Sequence, residues 1–113
     1  MNIKIKEIDN CVVLSMSGNL IQGLNTDEFK NILRKQLDSN KKNIIVDLGE
    51  ITFVNSTGLS VLFRGYKAVE EAGGKFRVVN ISNKLNNLLS ITKLNTLFVI
   101  EENVETAIKS LSK

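Results

Sequence analysis

The chain has 113 residues, of which 42% are hydrophobic and 24% charged, with no proline and no tryptophan. This is enough for one domain with a real core and too little for two, and it is too apolar for a disordered protein. The formal net charge is +3. The basic residues are scattered among acids rather than gathered on one face with stacking aromatics, which argues against nucleic-acid binding.

The absence of histidine removes histidine phosphotransfer, the commonest general base and most metal sites. The single cysteine, Cys11, cannot form an internal disulfide, so a reducing, cytoplasmic setting is expected. No apolar run approaches the ~20 residues of a membrane span. The first residues, Met-Asn-Ile-Lys-Ile-Lys-Glu, alternate as a strand and do not read as a secretory signal.

Residues 2–8 alternate, with Ile3 and Ile5 against Lys4 and Lys6. Asp9-Asn10 is a turn signal, and residues 11–17 alternate again with Val12, Leu14 and Met16 on one face. Together they predict a β-hairpin. Gly18 is expected to end the second strand, followed by a loop over Asn19–Leu24. Asn25 with Glu28 three residues later forms a capping box, and Phe29, Ile32, Leu33 and Leu37 give the buried stripe of a helix.

Residues 44–48, Ile-Ile-Val-Asp-Leu, form a continuous run suited to a central strand, with Gly49–Asn55 expected as a connection. Leu59, Leu62, Phe63, Tyr66 and Val69 mark a second helix that Gly73-Gly74 stops. Val61, Gly65, Ala68 and Ala72 form a second, small-residue stripe on it, which fits either close packing or a docking face. A strand over 75–80, a helix carrying Leu85, Leu88 and Leu89, a strand over Leu97–Ile100 and a terminal helix through Val104, Ala107, Ile108 and Leu111 complete the chain. The order predicts a single α/β domain with a mixed sheet, an opening hairpin and right-handed crossovers, about five strands and four helices in all.

The segment Asp47-Leu48 … Phe53-Val54-Asn55-Ser56-Thr57-Gly58-Leu59 follows the most buried strand and opens the longest helix. Sites in α/β sheets cluster at the carboxyl ends of strands. A helix N-terminus favours negative charge, so a phosphate on Ser56 would be tolerated by its own domain while adding about −1.5 to −2 charges to an exposed surface. Helix capping by itself also accounts for Asn, Ser and Thr at this place. Gly58 is less easily explained, because glycine in a first turn costs about 1 kcal/mol relative to alanine.

This run, with Tyr66-Lys67, Gly73-Gly74, Gly18-Asn19-Leu20 and the later Val79-Asn80-Ile81 … Leu88-Leu89 … Leu97-Phe98, resembles the STAS domain family of the anti-sigma factor antagonist type. The resemblance covers nearly all of residues 1–113. It implies a protein that is not an enzyme and needs no cofactor or metal. Its unphosphorylated form would bind an anti-sigma factor that is also a serine kinase of the GHKL type, releasing a sigma factor. Phosphorylation would switch binding off, and a PP2C-like phosphatase would reverse it. The phospho-acceptor carries over to Ser56, with Thr57 as the adjacent hydroxyl, and Gly58 and Leu59 match the motif directly. In the family an early loop lies near this serine, so Leu20 and Ile21 join Asn55, Ser56, Thr57, Gly58 and Leu59 as expected partner-binding residues. The class tends to be monomeric when free.

Two positions depart from the family pattern: Asn55 stands where an acid precedes the serine, and Ile21 where an aspartate closes the early motif. Both bear on contact with the kinase rather than on the fold. They motivate an alternative, a non-phosphorylated STAS scaffold or accessory subunit of a transporter or signalling complex. A third possibility is a small-ligand or nucleotide-binding module or phosphocarrier, which the lack of a phosphate loop disfavours. A phosphocysteine role for Cys11 would need a phosphate-cradling loop after it, where Val12-Val13-Leu14 stand instead. Asp47 and Glu50 have no catalytic partner, and capping of a turn is the simpler role for them.

Overall fold

A computed structural model describes residues 2–20 and 24–111. The strands are β1 (Asn2–Ile8), β2 (Cys11–Leu20), β3 (Asn43–Val54), β4 (Lys75–Val79) and β5 (Val99–Glu101). The helices are α1 (Leu24–Asp38), α2 (Ser56–Glu71), α3 (Asn83–Ile91) and α4 (Val104–Leu111), with a short 3-10 turn at Leu94–Thr96. The sheet order is β1-β2-β3-β4-β5, antiparallel between β1 and β2 and parallel thereafter. This is the mixed α/β sheet with an opening hairpin that the order of elements predicts.

Strand alternation sorts the core into two layers. Val12, Leu14 and Met16 of β2, Ile44, Val46 and Leu48 of β3, and Phe76 and Val78 of β4 face α1, α2 and α3. Cys11, Val13, Ile45 and Val79 point the other way and meet Ala107 and Leu111 of α4. Ile44, Ile45 and Val46 are therefore buried on both faces, as a central strand in a parallel sheet must be. Each such side chain stabilises the fold by about 1.5–3 kcal/mol. The outer strand β1 carries exposed Lys4 and Lys6, which oppose pairing with another chain.

The small-residue stripe of α2 faces α1 and meets it at Gly65. A methyl group at Gly65 would lie 2.9 Å from the Phe29 ring and 3.2 Å from Leu33. Close approach of the two helices thus accounts for Gly65, whereas Ala68 is exposed and Ala72 half-buried beside a groove between the two helices. Gly73 ends α2 in the left-handed region (φ 80°), as its sequence position suggests.

Several boundaries differ from the sequence expectation. β2 does not stop at Gly18, and β3 does not stop at Gly49. The two strands stay paired in parallel from Val12–Ile44 to Leu20–Val54, with register shifts between Ser15 and Ser17 and between Gly18 and Asn19. Both glycines thus lie where the ladder slips, and Gly18 takes a positive φ of 96°. Glycine at a bulge imitates glycine at a strand end. α1 begins at Leu24 rather than after a cap at Asn25, and the proposed Asn25 cap contact lies outside the described side chains. β5 starts at Val99, because the 3-10 turn holds the chain back and Phe98 N–H bonds to the Leu94 carbonyl at 3.0 Å.

The turn from α2 into β4 rests on the start of β3. A methyl group at Gly74 would fall 2.2 Å from the Lys42 carbonyl oxygen, to which Lys75 N–H donates at 2.9 Å. Gly74→Ala should therefore cost about 1–3 kcal/mol through forced backbone displacement. Urea unfolding checks this, and a midpoint equal to that of the parent would show that the turn shifts freely.

Candidate functional site

β3 overshoots β4. Its pairing with β4 ends at Asp47–Val79, while β3 itself continues to Val54 alongside β2. Asp47 closes the β3–β4 ladder: one carboxylate oxygen accepts from Gly49 N–H at 2.9 Å and from the Asn80 side-chain amide at 3.1 Å. Asn80 is left-handed (φ 57°) and turns the chain away from the sheet. Asp47 is thus a turn cap. Among the described residues no group of three or more His, Cys, Asp or Glu side chains could hold a metal ion.

The overshoot delivers α2 to the rim of the sheet. Asn55 is its N-cap, with extended backbone (φ −105°, ψ 179°). Its side-chain oxygen accepts from Gly58 N–H at 2.8 Å, and its carbonyl accepts from Leu59 N–H at 2.9 Å. Ser56 is the first helical residue and is exposed; Thr57 is half-buried, and its carbonyl accepts the Ser60 hydroxyl at 2.7 Å. Gly58 and Leu59 are buried. Of the expected surface residues, Asn55, Ser56 and Thr57 lie together at the surface, whereas Gly58 and Leu59 anchor the turn from beneath.

The capping function thus falls on Asn55 alone, and the Ser56 hydroxyl has no described hydrogen-bond partner. The first turn of α2 holds no acidic residue. The N–H groups of Ser56 and Thr57 have no described acceptor, so the positive end of the helix is uncompensated where the Ser56 side chain begins. Leu20 pairs through its backbone with Val54, next to the site. Ile21 lies outside the described residues.

Beside this turn an apolar groove of about 370 Å³ runs between the tail of β3 and α3, lined by Ile51, Phe53, Val54, Lys84, Leu88 and Ile91 among others. Phe53 is 47% exposed and Ile91 79%. Sequence reasoning missed this groove. The signal present was the apolar content of residues 51–54 in a segment read as a connection.

Cys11 lies at the start of β2, only 2% exposed, in the α4-side layer. Burial pushes its thiol above the ordinary range, and the nearby Asp9 carboxylate pushes the same way. It is a packing residue without the thiolate character of a nucleophile.

The fold and the site define a class: a small mixed-sheet α/β domain that presents a capped, serine-bearing helix start at the end of its central strand. The family model of the STAS domain matches residues 2–107, and the chain belongs to that family. The anti-sigma-B factor antagonist of Bacillus subtilis is 24% identical over 113 residues, covering 96% of this chain and 98% of that protein. The crystal structure of an anti-sigma factor antagonist from Mycobacterium paratuberculosis superimposes with a TM-score of 0.85 at 20% identity, covering 99% of this chain and 94% of that one. The Bacillus cell-fate determinant SpoIIAA in its phosphorylated form gives a TM-score of 0.75 at 15% identity, covering 97% and 99%. At these identities the structural likeness establishes the shared fold. No described helix is long and apolar enough to cross a membrane.

Two outcomes follow from the site geometry. Asn55→Ala should lower stability by about 1 kcal/mol through loss of the cap, whereas Asn55→Asp should keep it, since either side chain caps a helix. Denaturant midpoints of the two variants check this. The raised Cys11 thiol stays protonated in the folded chain after the unfolded chain has begun to ionise. Its contribution is therefore complete below the unfolded thiol pKa and is lost as pH rises above about 8.5. The fall in stability at alkaline pH should be shallower in Cys11→Ala, measured as unfolding free energy against pH.

Proposed function

We propose that this chain is an anti-sigma factor antagonist that acts by binding rather than catalysis, and that phosphorylation of Ser56 switches its binding off. The unphosphorylated form binds an anti-sigma factor that is also a GHKL-type serine kinase, so that a sigma factor is released. A PP2C-like phosphatase restores the bound state. The protein works in the cytoplasm and is monomeric when free. The observation that carries this reading is the division of roles at the start of α2: Asn55 holds the helix, leaving Ser56 exposed with an uncommitted hydroxyl. The names of the relatives and the phosphorylated form of SpoIIAA support it.

The electrostatics favour a switch without unfolding. A phosphate on Ser56 sits at the positive end of α2, worth about 0.3–1 kcal/mol to its own domain. The same charge placed against a partner can cost several kcal/mol if it meets like charge or loses water without compensation. A neutral Asn55 in place of an acid also spares that phosphate a repulsive neighbour. A non-phosphorylated scaffold or transporter subunit is the second reading, favoured by that same departure together with Ile21.

Intact-mass analysis after incubation with ATP and GHKL-type kinases from the same source, followed by peptide mapping, tests the switch. One phosphate at Ser56 is expected. Modification of Thr57 alone would move the residue and keep the mechanism. Binding without phosphate would favour the scaffold. In a pull-down with the same kinases Ser56→Ala should retain binding, and Ser56→Asp should weaken it by roughly tenfold or more. Both variants should unfold near the parent midpoint, because the cap is Asn55. Equal affinity of the two would sink the switch.

A further inference from the structure

The stripe of small residues on α2 is only partly used in packing. Gly65 meets α1, but Ala68 is exposed and Ala72 half-buried, and between them and α1 lies a second groove of about 420 Å³. That volume falls within the range of small-molecule sites, about 300–1,000 Å³. Leu33, Leu37 and Val61, with Ala68 and Ala72, give it an apolar floor. Three exposed cations line it as well, Lys30 and Arg34 from α1 and Arg64 from α2. α1 also places Asp27 and Asp38 on the lining. Asp27 with Lys30, and Arg34 with Asp38, have the spacing of helix ion pairs. Neither pair closes, and among the described residues Lys30, Arg34 and Arg64 make no ion pair. Three uncommitted cations thus share one apolar groove.

We propose that this groove binds a small anionic amphiphile, an apolar body carrying one compact carboxylate or phosphate head. The floor takes the apolar body, and the head sits among Lys30, Arg34 and Arg64. Guanidinium forks match the oxygens of a carboxylate or phosphate two at a time. The order of charges on α1 selects a compact anion. Asp27 and Asp38 stand at either end of the two α1 cations, about 16 Å apart along the helix at 1.5 Å per residue. A nucleic-acid strand, an anionic membrane surface or a run of acidic peptide would set its charge against both carboxylates. A ligand charged at a single point avoids them. The site is separate from the start of α2, since none of Asn55, Ser56 and Thr57 lines it. The proposal therefore stands independently of the antagonist reading.

Titration of the full chain with decanoate and with decyl phosphate, below the concentrations at which they form micelles, tests this, with decanol as the uncharged control. Saturable binding is expected by isothermal calorimetry, with amide resonance shifts at Leu33, Leu37, Ala68 and Ala72. Decanol should bind roughly tenfold more weakly or worse, and Arg34→Ala and Arg64→Ala should each lose roughly tenfold in affinity. Ala68→Trp, at an exposed position and checked for unchanged circular dichroism, should fill the groove and abolish binding. Whichever of decanoate and decyl phosphate binds more tightly assigns the head group, and either result supports the site. Absence of saturable binding, equal binding of decanol, or parental affinity in both arginine variants or in Ala68→Trp overturns the proposal. So do shifts confined to α3 and the tail of β3, which would put the ligand in the groove beside the start of α2.

Discussion

The parallel pairing of β2 with β3 determines where everything of functional interest lies. Had β3 ended with its partner β4 at Asp47, α2 would start level with the rest of the sheet. Instead β2 and β3 run on together, absorbing two slips in register, and carry the start of α2 past the neighbouring strand. The first part of the pair is fixed by burial on both faces. A one-residue slip there would turn Ile45 toward the three-helix layer and Ile44 and Val46 toward α4, placing every side chain in the wrong core. Beyond Asp47 that constraint relaxes, because among the described strands β2 alone still pairs with β3, and there the irregularities occur. The Thr52 hydroxyl reaches the Gly18 carbonyl at 3.3 Å across the second slip, tying the extension together.

Much of this was legible in the sequence, and the exceptions have physical causes. Strand and helix types followed from periodicity, because side chains at Val12, Leu14 and Met16 and at Leu59, Leu62 and Val69 must reach a core. The Gly73 stop was legible because a left-handed helix end favours glycine, although Lys93 takes the same conformation after α3. Gly18 and Gly49 carried the same letter with a different meaning. A bulge needs the same backbone freedom as a strand end, and only pairing with a distant segment tells them apart. Register shifts are non-local, so the length of β3, and with it the groove, could not be read from local pattern. At the site, the cluster Asn55-Ser56-Thr57 was found from residue type and its place after a central strand. Which of the three caps the helix was not legible, since all three are good caps; the backbone geometry assigns it to Asn55.

On the proposed reading, that assignment separates stability from signalling. A serine that capped its own helix would have its oxygen committed to a backbone N–H, and modifying it would cost the fold a hydrogen bond of about 0.5–1.5 kcal/mol as well as altering the surface. With the cap one residue earlier, the hydroxyl is free to react and the helix does not depend on it. Gly58 fits this division, because its N–H donates to the Asn55 cap and it lies buried beneath the turn.

Switches that melt or order a segment must overcome the free energy of that segment, whereas a rigid switch only has to change what a partner meets. On the proposed reading the start of α2 belongs to the second kind. It is held by the cap, by buried Leu59 and Leu62 in the main core, and by a strand paired with β2 through its last residue, Val54. A phosphate at Ser56 would meet open N–H groups and no carboxylate in its own first turn, so nothing in that turn drives it to rearrange. The free energy of modification is then expressed almost wholly in the complex. This places the whole burden of discrimination on the partner's surface, where a fixed charge beside a fixed apolar groove is easier to recognise than a flexible one, because neither side must be ordered again on binding.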